Sequence, residues 1–153
     1  MSERTVESGT VIRKSVTANA PVERAFRIFT EELGSWWPFE GHSLSDAEAE
    51  SAHLEGRVGG RLFERSRDGR ELLWGTIVVW EPPYRFVTTW HPGRDEDSAQ
   101  ELEVRFVDEG ERTRVEVEHR GWEKLADAVP EVLRSYEEGW NIVLGERYAA
   151  AVG

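Results

Sequence analysis

The chain has 153 residues, no cysteine and a formal net charge of −11, with 39% apolar and 32% charged residues. This is the composition of a globular domain, and without cysteine there is no disulfide, thiolate metal site or thiol nucleophile. So acidic a surface repels phosphate backbones and anionic lipid, so neither nucleic acid nor a membrane is expected as a partner. No apolar run approaches the ~20 residues of a membrane span. The length predicts one domain over residues 10–153 behind a disordered tail at 1–9. The first residues lack the apolar core of a signal peptide, so the expected location is cytoplasmic.

Residues 10–18 (TVIRKSVTA) are β-branched and alternating, which predicts a strand. Pro21 then opens a helix whose apolar stripe is Val22, Ala25, Phe26, Phe29 and Leu33. Gly34 is read as its left-handed stop. Ser35-Trp36-Trp37-Pro38-Phe39 and a loop over 40–48 follow. Strands are predicted at 50–55, 61–67, 71–81 and 84–91, with a glycine-rich turn at 56–60 and a hairpin at Asp68-Gly69. Gly75 inside the long strand marks a bulge or bend.

The cleanest alternation lies in residues 100–107 and 112–120. Leu102, Val104 and Phe106 alternate with Glu101, Glu103 and Arg105, and Thr113, Val115, Val117 and His119 alternate with charged neighbours. Each strand therefore has one wet face and one buried face. Residues 130–151 are helical, with Val129, Leu133, Tyr136, Trp140, Leu144 and Ala151 on one face. Consecutive hairpins make an antiparallel sheet, and the amphipathic last helix covers its apolar face.

Seven tryptophans stand out in so short a chain. They either fill the core or line an aromatic pocket. The four histidines, His42, His53, His91 and His119, share no ligand spacing, so neither a metal nor another cofactor is expected. Alternation places His119 on the buried face, where it is either a satisfied core histidine or a polar anchor at the end of a cavity. Glu64 is buried if Leu62 faces inward and exposed if Phe63 does; a one-residue slip exchanges the faces. The glycines at 56, 59 and 60 match no phosphate-binding loop.

Several short motifs occur in a recognisable order. They are Gly59-Gly60-Arg61, Asp68-Gly69, Gly75, Glu81-Pro82-Pro83-Tyr84-Arg85, Thr89-Trp90, residues 110–114, His119 and Gly139-Trp140. With them, residues 10–151 resemble the START/polyketide-cyclase (SRPBCC) superfamily and, within it, the family of heat-shock-protein-90 ATPase activator homologues. Trp36-Trp37-Pro38-Phe39 with His42-Ser43 resembles one bacterial branch of that family. The resemblance implies an α+β helix-grip fold, a curved antiparallel sheet of about seven strands around a long C-terminal helix. It implies a cavity of the kind that holds lipids, sterols or polyketides, and it assigns no catalytic residues.

The expected function is therefore binding of a small apolar or aromatic molecule between sheet and helix. The candidate ligand-binding residues are Trp37, His42, Phe63, Trp74, Phe86, Trp90, His119, Tyr136 and Trp140. An enzyme of the cyclase, aromatase or hydrolase kind, moving protons through His119 or Glu64, is the first alternative. A chaperone-interacting module is the second. Homodimerisation is compatible with either.

Overall fold

The computed structural model describes residues 11–38, 48–92, 97, 99–122 and 130–152. The tail at 1–9 and His42 lie outside these residues. The strands are β1 (Val11–Ala18), β2 (Ala49–Leu54), β3 (Arg61–Ser66), β4 (Glu71–Glu81), β5 (Arg85–Trp90), β6 (Gln100–Asp108) and β7 (Thr113–Arg120). Among the described residues, the helices α1 (Val22–Thr30) and α2 (Leu33–Trp36) lie between β1 and β2. The chain ends with α3 (Pro130–Ile142), a π-helical turn (Val143–Tyr148) and α4 (Ala149–Val152).

Hairpins from β2 to β7 build one antiparallel sheet in the order β1-β7-β6-β5-β4-β3-β2. The first strand forms one edge by pairing with the last, Val11 opposite Arg120 and Ala18 opposite Thr113. The alternation read in β6 and β7 holds: Leu102, Val104, Phe106, Val115, Val117 and His119 are all at most 3% exposed. The helix-grip arrangement follows, because the apolar inner face must be covered and the C-terminal helix covers it.

The outer face carries charge. Glu103 points outward from β6, yet it is buried beneath its partners. Arg85, Arg105 and Arg120 place nitrogens 2.6, 2.8 and 2.7 Å from its carboxylate. Burial alone would push the Glu103 carboxyl up, but the hydrogen bonds from Arg85 and Arg120 outweigh it and hold the pKa at about 2.

Two glycines mark close approaches. A Cβ on Gly75 would lie 1.8 Å from the Thr89 carbonyl oxygen of β5. Opposite it, β3 shifts register between Leu62 and Phe63. Gly34 does not cap α1. That helix ends at Thr30, whose hydroxyl donates to the Phe26 carbonyl at 2.8 Å. Gly34 lies inside α2, where a Cβ would come within 2.9 Å of the Ala52 carbonyl oxygen. The glycine lets α2 seat directly on the backbone of β2.

The π turn alters the last helical face. A π turn takes more residues per revolution than an α turn. Val143, Leu144 and Tyr148 are buried there, and Val152 reaches the core at 4% exposure while Ala151 stays half-buried. The Tyr148 hydroxyl donates to the Ala25 carbonyl of α1 at 2.7 Å, tying the covering helix to the first one. Burial pushes this phenol above its ordinary pKa.

Candidate functional site

The aromatic residues divide into two groups. Beneath α1, Phe26 and Phe29 meet Phe86 and Phe106 with ring centroids 5.1–6.5 Å apart. Trp80 joins from β4, 5.2 Å from Phe26. This group is filled core. Phe86 belongs to it and does not line the cleft described next.

The second group lies where α3 approaches β4, β5 and β7. Trp37 follows α2, Trp74 and Trp90 point inward from β4 and β5, and Trp140 points inward from α3. The Trp37 ring centroid is 4.9 Å from Trp74, 6.4 Å from Trp90 and 6.4 Å from Trp140. All three pairs are tilted or edge-on, so the rings wall a space rather than stack into a column. The space is a cleft of about 290 Å³, lined by Trp37, Trp90, Pro92, Ser135, Tyr136, Gly139, Trp140 and Val143. It is of the size that takes a molecule of two or three fused rings, at the small end of ligand sites.

Polar groups sit behind this wall. His119 is fully buried at the end of β7, under Trp90, Trp122, Tyr136 and Trp140. Trp140 donates its indole N–H to His119 Nδ1 at 3.1 Å. An indole nitrogen can only donate, so Nδ1 is the acceptor and the hydrogen-bond network assigns the ring proton to Nε2. Glu64 is fully buried on the inner face and accepts the Trp74 N–H at 2.7 Å. The extra residue of the β3–β4 pairing is Trp74 in β4, so β3 keeps its alternation: Leu62 and Glu64 face inward, and Phe63 faces the other side of the sheet.

Of the residues picked from sequence, Trp37, Trp90, Tyr136 and Trp140 therefore meet at the cleft. Trp74 and His119 stand directly behind it. Phe63 does not belong with them. It stacks on His53 at 5.1 Å on the outer face and lies under the Arg61 guanidinium at 4.4 Å.

A larger depression of about 620 Å³ lies between α1 and the turn joining β4 to β5. Trp80 and Phe26 form part of its floor, and Glu23, Arg27 and Glu31 rim it. Its volume does not make it the better site, because three charged side chains on the rim keep it hydrated, whereas the smaller cleft is walled by aromatic rings. Among the described residues, no group of three or more His, Asp or Glu side chains is placed to hold a metal ion. No helix among them is long and apolar enough to cross a membrane.

The family profile described as "Activator of Hsp90 ATPase homolog 1-like protein" matches residues 19–153. The chain belongs to this family. No curated protein sequence matches it. Among solved structures, this activator-homologue chain is similar to an anthrahydroquino-gamma-pyrone synthase, Txn09, solved in complex with SUM. The two are 32% identical with a TM-score of 0.63, covering 96% of this chain and 99% of that one. It is also similar to CalC from Micromonospora echinospora, described as a self-sacrificing resistance protein. That pair is 29% identical with a TM-score of 0.66, covering 93% of each chain. Protein MLL2253 from Mesorhizobium loti, at 15% identity, TM-score 0.69 and coverage of 94% and 96%, shares the fold.

Sequence reasoning missed Pro92, Ser135, Gly139 and Val143 as cleft residues and Trp122 as the floor under Tyr136. The signal for two of them was present, since Tyr136, Gly139 and Val143 recur at helical spacing beside Trp140. Trp122 carried no periodic signal, because it stands just beyond β7 rather than within it.

Proposed function

We propose that this activator-homologue protein binds a flat, polycyclic aromatic molecule of the polyketide type in the cleft between α3 and the sheet. The observation that carries the reading is the convergence of Trp37, Trp90, Tyr136 and Trp140 on a cavity of about 290 Å³. Flat aromatic walls with few polar groups favour a flat aromatic guest. The similarity to a protein described as an anthrahydroquino-gamma-pyrone synthase supports the same class of molecule. Titration with anthraquinone, read by tryptophan fluorescence, tests it. Saturable one-to-one quenching is the expected result. Its absence for anthraquinone and for related three-ring compounds overturns the reading and moves the search to a chaperone partner.

A second reading, a ring-closing enzyme, is favoured by the 32% identity to a synthase over nearly the whole of both chains. Neither acid–base candidate lines the cleft: His119 lies behind Trp140 and Tyr136, and Glu64 behind Trp74. Catalysis would then rest on folding a flexible chain into a reactive shape. An ortho-hydroxyaryl 1,3-diketone, which closes to a γ-pyrone with loss of water, distinguishes the two. Accelerated closure marks an enzyme, and binding without acceleration marks a carrier.

A further inference from the structure

Donor accounting singles out Tyr136. Five indole N–H groups around the core already have acceptors. Trp36 donates to the Ile28 carbonyl, Trp74 to Glu64, Trp122 to the His119 carbonyl, Trp140 to His119 Nδ1, and Trp90 to the Tyr136 hydroxyl at 3.4 Å. The last bond is long, but its direction is fixed: the indole donates, so the phenol oxygen accepts. The Tyr136 proton is thereby turned away from Trp90, and no acceptor among the described residues takes it. The ring itself is held edge-on by Trp122 at 5.0 Å and by His119 at 5.3 Å. Ser135, the other hydroxyl on the cleft, is exposed at its rim. Tyr136 is half-buried against the aromatic walls, where a hydrogen bond competes less with water.

We propose that Tyr136 is a specificity-determining donor: its O–H donates a hydrogen bond to a carbonyl oxygen on the bound ring system. The cleft then selects aromatic ketones, quinones and pyrones over hydrocarbons of the same shape. Accepting the Trp90 N–H polarises the phenol and strengthens it as a donor. This rests on the reading of the cleft as the ligand site.

The test uses a matched pair, 9-fluorenone and fluorene, which share a flat three-ring outline and differ in one carbonyl group. Affinities of both for the wild-type protein and for Tyr136→Phe form a thermodynamic cycle. The ratio of ketone to hydrocarbon affinity should fall about five- to ten-fold in the variant, the worth of one hydrogen bond. A merely structural role for Tyr136 would lower both affinities together and leave the ratio unchanged, and that result overturns the proposal. Binding of fluorene and fluorenone with the same ratio in both proteins leaves the cleft a ligand site without this donor. If neither compound binds the wild-type protein, the ligand-site reading itself fails and takes the donor role with it.

Discussion

Trp140 donates its indole N–H to Nδ1 of His119 at 3.1 Å, joining the covering helix to the last strand of the sheet. Both residues are at most 4% exposed, so the bond satisfies the indole N–H and the Nδ1 atom where water does not reach them. The bond fixes the tilt of Trp140, and Trp140 is one wall of the cleft. A polar pair in the core thus sets the geometry of an apolar site.

Replacing His119 by phenylalanine should therefore destabilise the fold by about 1–3 kcal/mol, the cost of stranding a buried donor. Trp140→Phe removes the donor instead. In a urea-denaturation cycle the two substitutions should couple by about 1 kcal/mol or more. Simple additivity would show that the bond contributes nothing.

The Glu103 cluster predicts an acid-sensitive fold. The carboxyl pKa is held at about 2, below its ordinary 4.5, by Arg85 and Arg120 against the cost of burial. A depressed carboxyl pKa contributes stability that is fully present above about 4.5 and is lost as pH falls through about 2. The contribution is at most about 3–4 kcal/mol, from the size of the shift. Glu103→Gln should be less stable than wild type by about 1–3 kcal/mol at pH 7, since it leaves three arginines without their shared partner. The two proteins should converge in stability as pH falls from 4.5 towards 2. Parallel stability curves across that window would contradict the assignment.

Gly75→Ala should be among the most damaging single-methyl additions in the sheet. The new Cβ would meet the Thr89 carbonyl 1.8 Å away, and backbone cannot yield as a flexible side chain does. A loss of about 2–4 kcal/mol is expected, at the upper end of overpacking costs. Thermal melts of Gly75→Ala beside Gly69→Ala, a turn position with nothing within 4 Å, would separate steric conflict from backbone strain.

Most of the fold was legible because it obeys strict periods. β6 and β7 alternate residue by residue, so Leu102 to His119 could be assigned to faces without coordinates. The failures sit where a period breaks or carries no signal. In β3 Leu62, Phe63 and Glu64 are all at most 4% exposed, so with both faces covered neither the outward Phe63 nor the inward Glu64 could be settled from alternation. Gly34 looked like a helix stop because glycine serves both caps and close contacts, and only the neighbour, Ala52, distinguishes them. The π turn rests on packing of Val143, Leu144 and Tyr148, which residue identity does not encode locally. Within the candidate site, Trp90 and Trp140 were legible from their inner faces. Trp122 was not, since a residue beyond a strand carries no phase.

Gly139 provides a way to close the cleft without unfolding the chain. It is half-buried on α3 between Tyr136 and Trp140 and contributes no side chain to the wall. Gly139→Leu should keep or raise the melting temperature, because leucine gains about 0.5–1 kcal/mol in helix propensity over glycine. Anthraquinone affinity should fall at least ten-fold as the added side chain fills the cavity. Unchanged affinity in a well-folded variant would remove this cleft as the site.

The most direct measurement is two-dimensional NMR of the tryptophan indole ¹⁵N–¹H groups during titration with anthraquinone. Trp37, Trp90 and Trp140 line the aromatic cleft, whereas Trp80 lines the larger depression beside α1. Saturating shifts of the first three signals are expected while Trp80 stays still. Movement of Trp80 with Trp37, Trp90 and Trp140 unchanged would place the ligand in the other depression and contradict it.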